Sequence, residues 1–532
     1  MVESILSIIR QFFIKTPLEN TEKYYRKECN GEYLRLFRRF IKLRTFMISK
    51  KLFSKERCYY YPIISTPFLR RTIQQQIFCK TYPDQIVFYF FIIATKLSSD
   101  KKKKINKAIL RIALNAIQIR NFAWELKGSL KFIIRGILLK KKDSLSKEAI
   151  ICAVDSVDPW INSERALISK DNLNIGKYLL DQQEFQKVAF CSSGNVYNST
   201  QRIQAQAVSS WHDFFYLKPI DKFLFLKKSI YTITVTLLQI AINRGSWRKY
   251  LLSDTIRAIF IEHGTAQNDQ VNFLFTCSGL SYKPVWVNVF EKKYKRDAIF
   301  HWYASCVFPS TNQHPEPDQF GIRLMDWKRE ITVSKSHEKF LRNLRSKSDA
   351  QPSYQSFPQL SEKASSPDWA VKIPEKEKII SVLTPMVFST KKRLGIGSIH
   401  DIYGPEITSS AITFIDQIIK ACDELGFSVL LKDKRKTPFE PVEYIEFRNR
   451  ISELDSVYVI DQESSLESIF LRSLGSVHWP CSTTGLLAQE CNTPSIYYDV
   501  SGLISKRDPV LMGVPLVNNF KSLKDFIANI AQ

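Results

Sequence analysis

The sequence predicts an α/β fold with two parallel sheets, preceded by a basic region that is mainly helical. From about residue 148 onward, short apolar runs that end in polar or glycine residues alternate with longer stretches of helical character. This alternation is typical of buried parallel strands joined by helices. A polar stretch rich in Ser, Lys and Pro, residues 333–376, separates two such regions and predicts a linker. Both flanking regions are therefore expected to be Rossmann-like domains, at 151–332 and 377–532.

Size and composition agree with more than one globular domain. A chain of 532 residues is too long for one ordinary core, and 44% hydrophobic residues are enough to build two. Ten cysteines are spread along the chain without a C-x-x-C pair, which predicts free thiols in a reducing compartment. The start of the chain does not resemble a secretory signal, and its longest apolar runs are too short to span a bilayer. We therefore expect a cytoplasmic protein.

Positive charge is concentrated in residues 1–150. This region contains 32 Lys and Arg against 11 Asp and Glu, a balance of +21, whereas the remaining 382 residues have a balance of only +4. A field of this size favours an anionic partner, either a membrane surface or a nucleic acid. Further basic clusters lie at Lys101–Lys104 and Lys140–Lys142.

The stretch "EYLRLFRRFIKLRTFM" predicts an amphipathic basic helix. Its apolar residues follow helical spacing and its cations fill the positions between them. Such a helix can lie in a membrane interface or pack on the protein's own core, and the pattern does not decide between these. The apolar positions are Tyr33, Leu36, Phe37, Phe40, Leu43 and Met47, and the cations are Arg35, Arg38, Arg39, Lys42 and Arg44.

In the first α/β region, four short apolar runs predict buried strands. Phe223–Asn243 lies between two of them and is long enough for a helix. The predicted strands are "AIICAVDS", "KVAFCSSGN", "IRAIFIEHG" and "PVWVNVFE".

The second region alternates more regularly. Glycine ends two of its predicted helices, and each apolar run between helices is short enough for a buried strand. In chain order, the elements are "KIISVLTP" (strand), "SSAITFIDQIIKACDELG" (helix), "FSVLLKDKR" (strand), "FRNRISEL" (helix), "SVYVID" (strand), "SSLESIFLRSLG" (helix), "SVHWP" (strand), "TGLLAQEC" (helix) and "PSIYYD" (strand).

A hydroxyl cluster, Ser482, Thr483 and Thr484, stands between a predicted strand and a predicted helix. Ligands of open α/β sheets bind at the carboxyl ends of strands, and a helix N-terminus offers unpaired N–H groups and partial positive charge. These hydroxyls could therefore line a phosphate or diphosphate site. The alternative is ordinary N-capping of the helix by one hydroxyl, which needs no ligand.

Charged residues near the same edge could complete such a site. Glu490 at the end of the helix could accept hydrogen bonds from a ribose, or it could be a solvated helix-end charge. Lys432, Lys434 and Arg435 follow another predicted strand and could pair with phosphate oxygens, or they could be an exposed loop.

The segment "IFIEHGTAQND" carries the candidate catalytic residue of the first region. His263 follows an apolar run and precedes Gly264 and Thr265, which would support it in a tight turn. Its ordinary pKa suits a general base, and Glu262 could orient it. The alternative is a structural histidine.

These motifs resemble known families. "HGT" at 263–265 is similar to the His-Gly-Thr of CDP-glycerol glycerophosphotransferase-like proteins, in which the histidine is taken as the base. "CSTTGLLAQECNTPSIYYD" resembles bacterial surface-carbohydrate and O-antigen biosynthesis proteins. Both resemblances imply a GT-B glycosyltransferase fold over about residues 150–532. Glu262 stands where the glycerophosphotransferase pattern has an aromatic residue, which favours a sugar donor.

The resemblance implies transfer of a sugar from a nucleotide-activated donor to a saccharide or lipid-linked acceptor, in surface polysaccharide, O-antigen or lipopolysaccharide biosynthesis. Ser482, Thr483, Thr484, Lys432, Arg435 and Glu490 would hold the donor, and His263 with Glu262 would activate the acceptor. No cofactor or metal is expected, because GT-B enzymes resemble metal-independent catalysts. Residues 1–150 would hold the enzyme peripherally on the inner face of the cell membrane, and no nucleic acid is expected. The rival hypotheses are a non-catalytic basic nucleic-acid-binding or scaffolding protein and a polyol-phosphate transferase.

Overall fold

The structure is a computed structural model that describes part of the chain. The predicted amphipathic helix at 33–47 and the cluster Lys101–Lys104 lie outside the described residues, as do Lys434 and Arg435. The described residues are 107–140, 150–154, 187–191, 214–242, 252–268, 270–276, 283–302, 304–305, 327–345, 352–356, 373–374, 377–385, 387, 407–433, 440–460, 464–502 and 504–530.

Most of the described helices and strands fall into the two α/β regions expected from the sequence, whereas the helix Lys107–Leu138 precedes the first region and the helix Lys335–Leu344 and the strand Ser353–Ser356 lie in the predicted linker. The helices are α1 (Lys107–Leu138), α2 (Pro219–Ile242), α3 (Leu252–His263), α4 (Val285–Tyr294), α5 (Lys335–Leu344), α6 (Ile407–Asp423), α7 (Val442–Ile451), α8 (Leu466–Arg472), α9 (Thr483–Glu490) and α10 (Phe520–Ile530). The strands are β1 (Ile150–Val154), β2 (Lys187–Cys191), β3 (Phe215–Tyr216), β4 (Thr265–Ala266), β5 (Val271–Thr276), β6 (Ala298–His301), β7 (Arg329–Thr332), β8 (Ser353–Ser356), β9 (Ile379–Leu383), β10 (Ser428–Lys432), β11 (Val457–Ile460), β12 (Gly475–His478), β13 (Ser495–Tyr498) and β14 (Leu516–Val517).

The first sheet has six parallel strands in the order β2-β1-β5-β6-β7-β8. Its register pairs Cys152 of β1 with Ala189 of β2 on one side and with Phe273 of β5 on the other. A separate antiparallel pair, β3 with β4, lies outside this sheet. The sheet confirms the predicted α/β class for the first region.

The second sheet also has six parallel strands, in the order β11-β10-β9-β12-β13-β14. Numbered along the chain this is 3-2-1-4-5-6, the doubly wound order that places a crevice between the first and fourth strands. β9 and β12 are those strands, and the residues of β9, β10 and β12 are buried as the apolar runs predict. The sequence therefore predicted the strands of this sheet correctly, except for β14.

Two predicted strands of the first region are helices. "IRAIFIEHG" forms most of α3 and "PVWVNVFE" forms most of α4. α3 packs against α1, α2 and α4, and buries Ile256, Ile259 and Phe260 among others. A helix covered on several sides loses the apolar–polar period of a surface helix, and a short apolar run then resembles a strand.

The predicted linker also differs from the structure. α5 and β8 lie within residues 333–376, and β8 pairs with β7 at the edge of the first sheet. β8 has a polar sequence because an edge strand is partly exposed, and Ser353 is its exposed residue. The first sheet therefore extends at least to Ser356, beyond the boundary predicted at 332.

Candidate functional site

α9 lies against the first domain, at the edge where the strands of the first sheet end. The Ser305 backbone N–H, beyond β6, donates to Thr483 Oγ1 at 3.0 Å, and the two hydroxyl oxygens are 3.4 Å apart. The Lys335 N–H, beyond β7, donates to Glu490 Oε1 at 3.2 Å. Because α9 itself follows the carboxyl end of β12, its N-terminus stands where the carboxyl ends of both sheets meet.

The turn from β12 into α9 is locally strained. Cys481 has φ +60°, the left-handed region that a non-glycine residue adopts at some cost in free energy. Ser482 follows with φ −71° and ψ 144°, and its side chain makes no cap hydrogen bond to the helix. Ser482 therefore stands at the N-cap position without capping, which leaves its hydroxyl available for another partner.

Three side chains form a hydrogen-bonded chain at this turn. His478 Nδ1 is 3.0 Å from Thr484 Oγ1, which is 2.9 Å from Ser482 Oγ. His478 is fully buried, and burial lowers its pKa to about 3, so its ring is neutral at pH 7.

The neutral ring has one N–H, and its position sets the direction of the chain. His478 Nε2 is buried without a hydrogen-bond partner among the described residues. A buried N–H without an acceptor is rarer than an unused lone pair, so we assign the proton to Nδ1. Nδ1 then donates to Thr484 Oγ1, so the Thr484 hydroxyl can donate to Ser482 and the Ser482 hydroxyl can donate to a further partner. The arrangement places a hydroxyl donor beside the helix N-terminus.

Tyr497 supports this turn from β13. Its hydroxyl donates to the Ser482 carbonyl oxygen at 2.7 Å. A Cβ added at Gly485 would lie 2.6 Å from the Tyr497 ring, closer than real Cβ atoms approach other atoms. Glycine at 485 therefore allows the first turn of α9 to pack directly on this ring.

Replacing Gly485 by Ala should destabilise the protein by about 1–3 kcal/mol, because the added methyl group overpacks a buried contact. Denaturant unfolding would measure this free energy. Gly502→Ala is a poor control because its φ is +66°, whereas Gly128 lies in helix α1 with no atom within 4 Å of an added Cβ. Gly128→Ala should therefore leave the stability unchanged or raise it, and an equal loss in both variants would contradict the packing argument.

The predicted cations are only partly described. Lys432 ends β10 and is buried, whereas Arg435 lies outside the described residues. Asp433 beside Lys432 is also buried, and it accepts hydrogen bonds from Thr384 Oγ1 at 3.0 Å and Arg448 at 2.9 Å. The carboxyl end of β10 is thus a paired, buried charge site, which the sequence analysis did not identify.

His263 is not near α9. His263 is the last residue of α3 and lies at the edge where the strands of the first sheet begin. The carbonyl oxygen of Gly264 beside it accepts hydrogen bonds from Lys293 and Tyr294, which end α4 just before β6 begins. The α9 N-terminus lies at the opposite edge, where the strands end. Burial and then the Lys228 charge lower the pKa of His263.

The neighbours predicted for His263 are engaged elsewhere. The exposed Glu262 carboxylate pairs with Lys228 at 3.3 Å, and Thr265 belongs to the β3–β4 pair. The structure therefore brings Ser482, Thr483, Thr484 and Glu490 together along one helix, and it does not bring His263 and Glu262 to them. The prediction of a strand that carries His263 is wrong, because the segment is helix α3, and the base role of His263 stays a prediction.

Residues 233–527, more than half of the chain, match the family described as "Polysaccharide biosynthesis PFTS motif protein". The chain belongs to this family. The match includes the whole second sheet and most of the first domain after β3, so both sides of the α9 contact are part of the PFTS region.

Solved glycosyltransferase structures show a distant similarity. A glycosyltransferase from Rickettsia africae ESF-5 is 12% identical, with 73% of this chain and 89% of that chain covered at a TM-score of 0.32. SsfS6, a glycosyltransferase of Streptomyces sp. SF2575, is 11% identical, with coverages of 72% and 91% at 0.34. TarM is 11% identical with 52% of each chain covered at 0.29, so this chain spans about half the length of TarM. No curated protein matches the sequence.

The first domain of this PFTS family member contributes a buried polar cluster behind Ser305 and Lys335. Arg345 and Glu330 form an ion pair at 2.5 Å, and the Trp302 indole N–H donates to Glu330 at 2.8 Å. His337 of α5 stacks edge-on against Trp302, with ring centroids 5.2 Å apart. This cluster fixes the chain after β6 and β7, and therefore the two backbone N–H groups that contact α9. No local sequence pattern predicts this cluster, because its members lie far apart along the chain.

Proposed function

We propose that this protein is a glycosyltransferase of polysaccharide biosynthesis that uses a nucleotide-activated sugar. The observation that carries the proposal is the N-terminus of α9, where an uncapped helix end, the Ser482 hydroxyl and the carboxyl ends of both sheets meet. Membership of the polysaccharide biosynthesis family supports it. A sugar linked to a nucleoside diphosphate is a ligand that would suit both the anion-binding helix end and the family.

The proposed donor site uses the helix end for the diphosphate. The N–H groups of Thr483 and Thr484 and the helix dipole favour an anion, and the Ser482 hydroxyl can add one hydrogen bond. Lys432 and Arg435 follow β10 and are proposed as cationic partners of the phosphates. We also retain Glu490 as the proposed ribose acceptor, although binding a ribose would compete with its contact to Lys335.

The proposed catalytic contribution of this site is stabilisation of the leaving nucleotide. Negative charge accumulates on the diphosphate as the sugar–phosphate bond breaks, and fixed N–H groups stabilise that charge without reorganising. Thr483 differs from its two neighbours, since its hydroxyl contacts Ser305 of the first domain. We propose that Thr483 holds the two domains together beside the donor and that Ser482 contacts the donor itself.

The acceptor and the cellular site are also proposals. A lipid-linked saccharide is the proposed acceptor, which requires peripheral attachment at the inner face of the membrane. Among the described helices, none is long and apolar enough to cross a bilayer. The +21 balance of residues 1–150 supports an anionic surface as partner, although it would also suit RNA in a scaffolding protein.

Turnover of nucleotide sugars tests the proposal. We would incubate the full chain with UDP-, TDP-, GDP- and CDP-activated sugars, with and without a saccharide acceptor. One of these donors should release its nucleoside diphosphate, and the rate of release should be higher when the acceptor is present. Release should persist in EDTA, because the resemblance to GT-B enzymes predicts a metal-independent reaction. If the folded protein binds RNA tightly and neither binds nor turns over any nucleotide sugar, the scaffolding hypothesis replaces this one.

A further inference from the structure

Helices α1 and α2 leave a long apolar face in solvent. On α1, Ile134 and Leu138 are 59% and 69% exposed, and on α2, Ile220 and Phe223 are 65% and 61% exposed. Isolated exposed apolar residues are ordinary, but a row of them along one side of each of two neighbouring helices marks a candidate interaction surface. We call this group the α1–α2 face. It consists of Leu130, Ile134 and Leu138 of α1 and Ile220, Phe223, Leu226, Ile230 and Leu237 of α2.

The two helices are neighbours in the fold. A Cβ added at Gly136 of α1 would lie 3.1 Å from the Phe225 ring of α2 and 3.2 Å from the Phe260 ring of α3. The inner sides of both helices are thus fixed against α3. The spacing of the exposed residues along α2, three or four positions apart with one longer step, keeps them on a single outer side.

Exposed cations lie on the same sides of the two helices as these apolar residues. Lys127, Lys131 and Arg135 are exposed on α1, and Lys227 is exposed on α2. The acidic residues in these two helix sequences are Glu125, which is buried, and Asp221, which is half-buried. Exposed apolar side chains are therefore interleaved with cations, and neither helix places an exposed carboxylate among them.

We propose that the α1–α2 face docks on an anionic lipid surface. Leu, Ile and Phe side chains suit insertion into the headgroup boundary, and Lys and Arg suit anionic headgroups, with each cation adding about fivefold to the binding constant. Long cationic side chains can reach the headgroups while their stems stay on apolar surface. A protein partner fits less well, because protein interfaces are depleted in Lys. The proposal rests on the proposed function, since a lipid-linked acceptor gives the enzyme a reason to bind membranes. It assigns the membrane contact to helices α1 and α2 rather than to residues 33–47.

Vesicle binding by the full chain tests the proposal without using turnover. Cosedimentation would compare vesicles of neutral phosphatidylcholine with vesicles that contain roughly 30% phosphatidylglycerol, at low and high salt. The lipid concentration would be varied in roughly tenfold steps, so that a binding constant can be fitted. The wild type should bind the anionic vesicles and be released by salt. Lys127→Gln/Lys131→Gln/Arg135→Gln should weaken binding by roughly 100-fold, and Phe223→Ser/Ile230→Ser by at least tenfold.

Matched controls come from the second domain. Val442→Ser/Leu471→Ser removes two equally exposed apolar side chains, and Lys506→Gln/Arg507→Gln/Lys521→Gln removes three exposed cations. Both controls should bind vesicles as the wild type does, and circular dichroism should show all variants folded. Unchanged binding by the α1–α2 variants would overturn the proposal, as would equal losses in the controls. It would also be overturned if the wild type bound no vesicles, and separation of a dimer or release of RNA by the Phe223→Ser/Ile230→Ser change would then identify the other occupant. None of these results depends on the nucleotide site, so failure here leaves the proposed chemistry standing.

Discussion

Replacing Ser482 by Asp should weaken nucleoside diphosphate binding by about a thousandfold and should not destabilise the protein. A carboxylate about 4 Å from a phosphate costs about 4 kcal/mol at the effective dielectric constant of a protein surface. The same carboxylate is a preferred N-cap and interacts favourably with the helix dipole, which stabilises α9 by about 0.3–1 kcal/mol. Opposite effects on affinity and stability therefore distinguish a phosphate site from an ordinary helix cap.

Ser482→Ala provides the matched comparison. The Ser482 side chain makes no cap hydrogen bond, so its removal should hardly change the free energy of unfolding. Loss of one hydrogen bond to a charged ligand should weaken binding by about 1.5–3 kcal/mol, roughly 10- to 150-fold. Titration calorimetry and thermal unfolding measure the two quantities. If Ser482→Ala destabilises the protein by a full capping energy and leaves nucleotide affinity unchanged, Ser482 is a structural cap.

Acid should unfold this protein near pH 5, because three buried histidines are neutral in the folded state. Burial lowers the pKa of His301, His337 and His478 to about 3, whereas in the unfolded chain it is 6.5. Between these values the unfolded chain binds more protons, so the free energy of unfolding falls as pH falls below 6.5. Each histidine lowers the free energy of unfolding by about 1.4 kcal/mol per pH unit below 6.5. The three together lower it by roughly 4 kcal/mol at pH 5.5, which is much of the stability of an ordinary domain.

Urea unfolding at pH 7.5, 6.5, 5.5 and 5.0 measures this dependence. Below pH 6.5, the slope of the free energy of unfolding against pH should approach the value for three protons taken up on unfolding. Above pH 7 these three histidines should leave the free energy of unfolding nearly constant. His337→Phe keeps an aromatic ring against Trp302 and should lower the slope by about one proton. A flat profile from pH 7.5 to 5.0, or an unchanged slope in His337→Phe, would show that these rings are not held neutral.

The second domain could be predicted from the sequence because its signals are local. Each of β9, β10, β12 and β13 is a short, buried run, and the helices between them have surface-type periodicity or a glycine stop such as Gly426, whose φ is +68°. In a doubly wound sheet, both faces of the central strands are covered, so continuous apolar runs identify them. The position of a ligand site at the carboxyl edge then follows from the topology.

The first domain was harder to predict because burial removes those signals. α3 is covered by other helices, and α4 packs against α3 and Phe273 of β5, so their sequences carry the apolar runs of strands. α5 was hidden within a polar stretch, although His337, Phe340, Leu341 and Leu344 follow helical spacing and are its buried residues. A test for periodicity within the predicted linker would have found this helix.

The candidate site was predicted in part. Grouping Ser482 with Thr484 was possible from local spacing, and the structure joins them through a hydrogen bond. His478 was missed, although a histidine that ends an apolar strand six residues before Thr484 is a signal of a buried polar partner. The roles of Thr483 and Glu490 as contacts to the first domain depend on residues 178 and 155 positions away, which no local pattern encodes.

The central claim is that the N-terminus of α9 binds the diphosphate of a nucleotide sugar, and the most direct measurement is a calorimetric comparison of nucleoside, monophosphate and diphosphate. For the nucleotide that the wild type prefers, affinity should rise from nucleoside to monophosphate to diphosphate, and Ser482→Asp should reduce all three to the level of the nucleoside. Equal affinities of wild type and a folded Ser482→Asp variant for the diphosphate, or no gain from the phosphates in the wild type, would contradict the account.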